Sequence, residues 1–147
     1  MINFTFTEIN QPPMKHLFIF LFIASVFTGC GDDCYNAPQT IAFKLVNSND
    51  EDLITNGTLT SYSIKDENQV GISLTKTSED LIILDNVGAY NGIKKYNFQS
   101  NIKVFDFSIQ SSEFKGGCDG FEINKLTFTG VGINVTDEKG YYKIVLQ

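Results

Sequence analysis

Apolar and polar residues alternate with a period of two along most of the chain after residue 40. The clearest runs are residues 41–45, 70–74, 105–109 and 131–135. Such alternation predicts β-strands with one buried and one solvated face. No segment in this region has the 3.6-residue period of an amphipathic helix. The pattern therefore predicts about eight short strands separated by turns.

Turn residues and changes of phase divide these strands. Asn56-Gly57 and residues 137–140 are typical of tight turns, because Asn and Gly tolerate a positive φ. The glycine-rich residues 116–120 predict a loop. The alternation changes phase near Val104 and again across Asn124-Lys125. Each phase change predicts a β-bulge, since one extra residue moves the following side chains to the opposite face.

Short strands spaced 8–12 residues apart predict an all-β fold over residues 40–147. We expect a single antiparallel two-sheet β-sandwich, immunoglobulin-like or transthyretin-like in outline. A small antiparallel β-barrel of the lipocalin type is the alternative, although about 110 residues is short for one. Either fold would be one domain with a single core.

Residues 14–29 have a different character. Met14, Lys15 and His16 form a short positive head, and residues 17–27 are an apolar run without a charge, Gly or Pro. As a helix this run is about 16 Å long, roughly half of the hydrocarbon core of a bilayer. It is therefore typical of a signal peptide rather than of a membrane span.

The residues before Met14 do not fit the same interpretation. A start at Met1 would place Glu8 in the head of the signal and move the positive charge inward. We therefore expect residues 1–13 to be an upstream leader that is not part of the mature protein.

The end of the apolar run carries a family resemblance. Phe27-Thr28-Gly29-Cys30 resembles a lipobox, the cleavage site of bacterial lipoproteins, although Leu is more usual in place of Phe27. The resemblance implies cleavage before Cys30 and acylation of its sulfur, with fatty chains such as palmitate. Residues 30–39 would then be the lipidated cysteine and a tether.

The residues directly after this cysteine add to the resemblance. Gly31-Asp32-Asp33 is similar to the export signal of surface-exposed lipoproteins of the Bacteroidetes kind. The chain thus resembles small Bacteroidetes-type lipoproteins, which implies a lipid-anchored outer-membrane protein. It would lie on the cell surface or on the periplasmic face.

Two cysteines remain once Cys30 is set aside. Cys34 and Cys118 form an even pair in a chain that we expect to be exported, which predicts a disulfide. Two free thiols are the alternative. The bridge would fasten the tether to residues 116–120.

Composition excludes several functions. The chain has no Arg and no Trp, its single His lies in the predicted signal peptide, and its net charge is −6. Nucleic-acid binding normally needs a basic surface with Arg. A Ser–His–Asp triad and a His-containing zinc site are ruled out in the mature chain. Phosphate-binding glycine motifs are absent, and the acidic residues 47–52 lack EF-hand spacing. We therefore expect no nucleic acid, metal or cofactor.

Two functions remain. The first is a non-enzymatic binding or accessory domain with a protein or glycan partner. Its stacking surfaces would come from tyrosines, namely Tyr35, Tyr90, Tyr96, Tyr141 and Tyr142. The second is a carbohydrate-active protein that uses a carboxylate pair, because this chemistry needs no histidine. Asp106 and Glu122 are candidates for that pair. We expect the binding domain and not an enzyme.

Overall fold

The computed structural model describes residues 34–147, which form ten β-strands in two packed sheets. The strands are β1 (Tyr35–Asn36), β2 (Ile41–Val46), β3 (Tyr62–Asp66), β4 (Leu74–Lys76), β5 (Ile82–Leu84), β6 (Gly92–Ser100), β7 (Val104–Gly116), β8 (Cys118–Thr129), β9 (Ile133–Glu138) and β10 (Tyr141–Leu146). The all-β two-sheet sandwich predicted from alternation is confirmed, and one of its sheets is a curled half-barrel.

Each sheet has five strands. The first has the order β1-β8-β7-β6-β3 and the second has the order β4-β5-β2-β10-β9. Most neighbouring strands are antiparallel, as predicted. β1 with β8 and β2 with β10 are parallel pairs. Alternation along the chain carries no information on strand direction, so these two pairs could not be predicted from it.

The core lies between the sheets and is rich in aromatic rings. Phe43 of β2 is fully buried and meets Phe107 of β7 edge-to-face, with 5.3 Å between ring centroids. Phe98 of β6 stacks on Phe105 of β7 at 4.6 Å. These residues lie on the inward-facing side of their strands, as the alternation predicts. Burial of such rings is the main stabilising contribution that a sandwich of this size has.

The predicted loop at residues 116–120 is wrong. β7 continues to Gly116 and β8 begins at Cys118, so the two strands form one long hairpin that turns at Gly117. Gly117 has a φ of +78°, which allows this abrupt turn. The glycines therefore support a tight reversal rather than a loop.

One of the two predicted bulges is confirmed. Gln110 is opposite Lys125 and Ser111 is opposite Ile123, so Asn124 is the extra residue on β8. The bulge expected near Val104 is not present, because β7 begins there and pairs regularly with β6 from Val104 to Ser111. Ile102 belongs to the turn before β7, and its phase therefore says nothing about the strand.

The strand predicted over residues 70–74 is also wrong for most of its length. Val70 is 58% exposed and β4 begins only at Leu74. Asp66 organises the preceding turn, since its Oδ1 accepts hydrogen bonds from the backbone N–H groups of Asn68 and Val70. The turn predicted at residues 137–140 is confirmed but shorter, because only residues 139 and 140 lie between β9 and β10.

The predicted disulfide partners lie side by side. The Cα atoms of Cys34 and Cys118 are 4.9 Å apart, within the range that a disulfide requires. β1 follows Cys34 directly, so part of the predicted tether is strand. Gly120 is buried beneath Asn36, where a β-carbon would overlap the Asn36 backbone. Glycine thus lets β1 approach β8 closely.

The predicted leader (residues 1–13), signal peptide (residues 14–29) and acylation site (Cys30) lie outside the described residues. Within residues 34–147, no helix has the length and apolar character needed to cross a membrane.

Candidate ligand-binding cleft

The sandwich has an open side where β8 of one sheet faces β9 and β10 of the other. A cleft of about 510 Å³ lies there, within the range of small-molecule sites. β9 is the edge strand of its sheet, and β8 is separated from the edge of the other sheet only by the two-residue β1. The cleft therefore enters the core from the edge of the sandwich.

Aromatic side chains form the inner wall of this cleft. Phe128 of β8 and Tyr142 of β10 face each other across it, with ring centroids 5.7 Å apart. Phe128 also packs on the buried Phe43, at 5.6 Å. Leu126 and Val135, both half-buried, continue the apolar surface toward the opening. The wall is thus a half-buried extension of the core.

Asp137 places a carboxylate on this apolar wall. β9 and β10 pair with Asp137 opposite Tyr142 and Val135 opposite Ile144. Ile144 is fully buried, so its side chain points to the inner face of the sheet. Because alternate residues of a strand lie on the same face, Asp137 lies on this inner face as well. Burial, and then the charge of Asp137, raise the pKa of Tyr142. The phenol and the exposed carboxylate therefore lie on the same face of the sheet, beside the cleft.

The other charged residues at the cleft belong to the outer faces of the sheets. Lys125 is opposite Gln110, which is exposed on the outer side of β7. Glu138 pairs with Tyr141, one position away from the inward pair. Among the charged residues that line the cleft, Asp137 is thus the one on the inner face of its sheet, together with the apolar wall.

One end of the cleft is closed by close packing. Ile123 of β8 lies against Gly88, where a β-carbon would be 2.8 Å from Ile123 Cγ1 and 3.2 Å from Pro38 Cβ. Gly88 has a φ of +86°, a conformation that favours glycine. This contact fixes β8 against the loop before β6 and limits the length of the cleft.

A second concavity, also of about 510 Å³, lies on the first sheet at β6, β7 and the turn after β3, and both charged and aromatic residues line it. Asp106 lines it and accepts a hydrogen bond from the Asn97 amide, with Nδ2 to Oδ1 at 2.6 Å. Asp66 lines it as well, but its carboxylate is engaged in the turn described above. The carboxylates of Asp106 and Asp66 therefore already have structural partners.

Asp106 and Glu122 do not form a carboxylate pair. Glu122 is opposite Ser112 on β7, six residues from Asp106. Six residues of strand span about 20 Å, whereas glycosidases hold their two carboxyl groups roughly 5–9.5 Å apart. Ser112 Oγ donates a hydrogen bond to Glu122 at 3.3 Å. The two candidates therefore lie at separate places on the sheet.

The five tyrosines do not form one platform. Tyr141 and Tyr142 both line the cleft, whereas Tyr35 is 59% exposed near the bridge. Tyr96 is buried in the core, and burial raises its pKa far above the ordinary value. Tyr90 donates a hydrogen bond to the Ile109 carbonyl at 3.0 Å, and Lys94 Nζ lies 4.5 Å from its ring centroid.

The acidic residues 47–52 form a turn, as predicted. Asn47 Oδ1 accepts hydrogen bonds from the backbone N–H groups of Asn49 and Glu51. In residues 34–147, no group of three or more His, Cys, Asp or Glu side chains is arranged to hold a metal ion.

Sequence reasoning missed Asp137 as a site residue, because it assigned residues 137–140 to a turn. The signal was present in the alternation of Ile133 and Val135, which extends by one more step to Asp137. Phe128 was assigned correctly to a strand, but no local pattern indicates that Tyr142 faces it from the other sheet.

No protein-family model matches the chain, and neither a curated protein nor a solved structure is similar to it. Its function must therefore be argued from its own residues.

Proposed function

We propose that the mature chain is a lipid-anchored outer-membrane protein whose sandwich is a non-enzymatic ligand-binding domain. The cleft between β8 and the β9–β10 pair is the binding site in this proposal. The observation that carries it is the apolar wall of Leu126, Phe128 and Tyr142, whose side chains pack on the core yet remain partly exposed in the cleft. Partly exposed apolar side chains that line a concave surface are typical of binding sites.

The anchor in this proposal is Cys30. Two or more acyl chains give stable membrane attachment, whereas one gives only marginal binding. Cys34 lies four residues further on, and four residues span at most about 14 Å when extended. With Cys34 bridged to Cys118, the sandwich would be held close to the bilayer at the turn of the β7–β8 hairpin.

Membrane fractionation tests the anchor. We expect the full-length wild-type chain in the membrane fraction, with an intact mass that shows cleavage before Cys30 and added acyl chains. The Cys30→Ser variant should lose the acyl mass and leave the membrane fraction. A wild-type product in the soluble fraction that retains residues 14–29 would contradict the anchor.

A substitution that fills the cleft with a large side chain tests the binding site. We expect the neutral probe dansylamide to bind the wild-type sandwich with enhanced fluorescence, because the wall is apolar. Val135→Trp should place an indole in the cleft and weaken this binding at least tenfold. Thr136→Trp is the matched control, since Thr136 is exposed on the opposite face of β9 and should leave binding unchanged. Equal binding by both variants would contradict the proposed site.

Circular dichroism and thermal unfolding would show that both variants fold. The chain has no native Trp, so all indole fluorescence comes from the introduced residue. Energy transfer from the indole to the dansyl group should therefore be strong for Thr136→Trp only if the probe binds nearby. This readout locates the probe independently of its affinity.

A further inference from the structure

We propose that the cleft selects small organic cations, namely amines that carry an apolar or aromatic body. This inference rests on the proposed binding function of the same cleft and names its ligand class. It follows from the charge and the ring surfaces that the inner wall presents.

The first observation is the position of Asp137. It is opposite Tyr142 on the inner face of β9 and is itself solvent-exposed, so its carboxylate lines the open part of the cleft. In the described part of the chain, the ion pairs are Lys76 with Asp80 and Lys143 with Asp50. No described Lys neutralises Asp137, which leaves this carboxylate available to a cationic group of a ligand.

The second observation is the aromatic surface behind the carboxylate. Phe128 and Tyr142 both line the cleft, with ring centroids 5.7 Å apart. The face of an aromatic ring attracts a cation by its quadrupole, and the attraction increases when water is excluded. These rings and the carboxylate therefore favour the same ligand charge.

The third observation is the placement of Lys125, the lysine that lines the cleft. Lys125 is opposite the exposed Gln110, on the outer face of β8. An anionic ligand against the inner wall would meet Asp137, whereas the position of Lys125 belongs to the outer face. The arrangement thus favours cations by attraction and disfavours anions by repulsion.

Three probes with one fluorophore and different charges test the inference. Dansylcadaverine carries an amine, dansylamide is neutral, and dansylglycine carries a carboxylate. With the wild-type sandwich at low salt, we expect the amine to bind about three- to tenfold more tightly than the neutral probe, the scale of one partly exposed charge pair. The carboxylate probe should bind most weakly, and added salt should narrow the differences.

Asp137→Asn should remove the preference for the amine while leaving dansylamide affinity within twofold. Glu79→Gln is the matched control, because it changes the net charge equally at an exposed position between β4 and β5, at the opposite edge of the sheet from the cleft. It should retain at least two thirds of the wild-type preference. The preserved dansylamide affinity shows that Asp137→Asn is folded.

The outcomes separate the two proposals. If dansylamide binds in the cleft but the amine binds no more tightly, the inference on ligand class is wrong and the binding function stands. If Glu79→Gln removes the preference as fully as Asp137→Asn, general surface charge explains it and the inference is also wrong. If none of the three probes binds, the proposed binding function itself fails.

Discussion

Gly88 lies so close to Ile123 that a β-carbon at Gly88 would be 2.8 Å from Ile123 Cγ1. Gly88 also has a φ of +86°. We expect Gly88→Ala to lower the free energy of unfolding by about 2–4 kcal/mol, because it combines backbone strain with a steric clash. Urea unfolding would measure the change.

Gly57→Ala is the control for strain alone. Gly57 has a φ of +74°, and a β-carbon there would have nothing within 4 Å. We expect Gly57→Ala to lower the free energy of unfolding by about 1 kcal/mol. If the two substitutions lower the free energy of unfolding equally, the contact between Gly88 and Ile123 does not contribute to stability. The end of the cleft would then not be fixed by this contact.

The bulge at Asn124 sets which β8 side chains face the core. Ile123 and Leu126 both face inward because Asn124 is the extra residue between them. Deletion of Asn124 would make the pairing regular and leave Leu126 and Phe128 inward. We therefore expect this deletion to cost no more than about 1–2 kcal/mol of stability.

Deletion of Leu126 is the opposite case. It would move Phe128 to the solvated face and place Thr127 inward, with the loss of two apolar side chains from the wall. We expect a loss of at least about 4 kcal/mol, or no folding. Denaturant midpoints of the two deletions would test this order, and a reversed order would show that the bulge does not set the register.

These cases show how far the sequence determines the fold. The period of two identifies strands such as β2 and β10, and the phase change at Asn124 identifies the bulge, because each depends on neighbouring residues. The pairing of β2 with β10 joins segments about a hundred residues apart, and no local pattern specifies it. The same holds for the cleft, which exists because Phe128 and Tyr142 come from different sheets.

Tyrosine burial predicts a loss of stability at alkaline pH. The pKa of Tyr96 is raised, first by burial and then by its hydrogen bond to Tyr90. In the unfolded chain a phenol ionises at a pKa of about 10. Above that pH the unfolded state releases a proton that the folded state retains, so the free energy of unfolding falls as pH rises.

The expected slope is up to about 1.4 kcal/mol per pH unit for this residue. Tyr96→Phe removes the ionisable group and should make the slope shallower by that amount between about pH 10.5 and 11.5. At neutral pH the same variant should cost about 1 kcal/mol through its lost hydrogen bond. Parallel curves for the two proteins would show that Tyr96 titrates in the folded state.

The Cys34–Cys118 pair should contribute to stability through the unfolded state. The two residues are 84 positions apart, and a cross-link over a loop of that length contributes up to about 4–5 kcal/mol in the chain-entropy model. β1 pairs with β8 over only two residues, so the rest of the sandwich does not depend on it. We expect the reduced protein to remain folded but with a lower urea midpoint.

Mass spectrometry and unfolding with and without a dithiol reductant would measure both effects. The oxidised chain should be lighter by two hydrogen atoms, and reduction should lower its midpoint to that of the Cys34→Ser, Cys118→Ser double variant. Amide exchange at Tyr35 and Asn36 should become fast in the reduced form, because nothing but two ladder residues then holds β1. An oxidised sample with the same mass and midpoint as the reduced one would mean that the thiols are free.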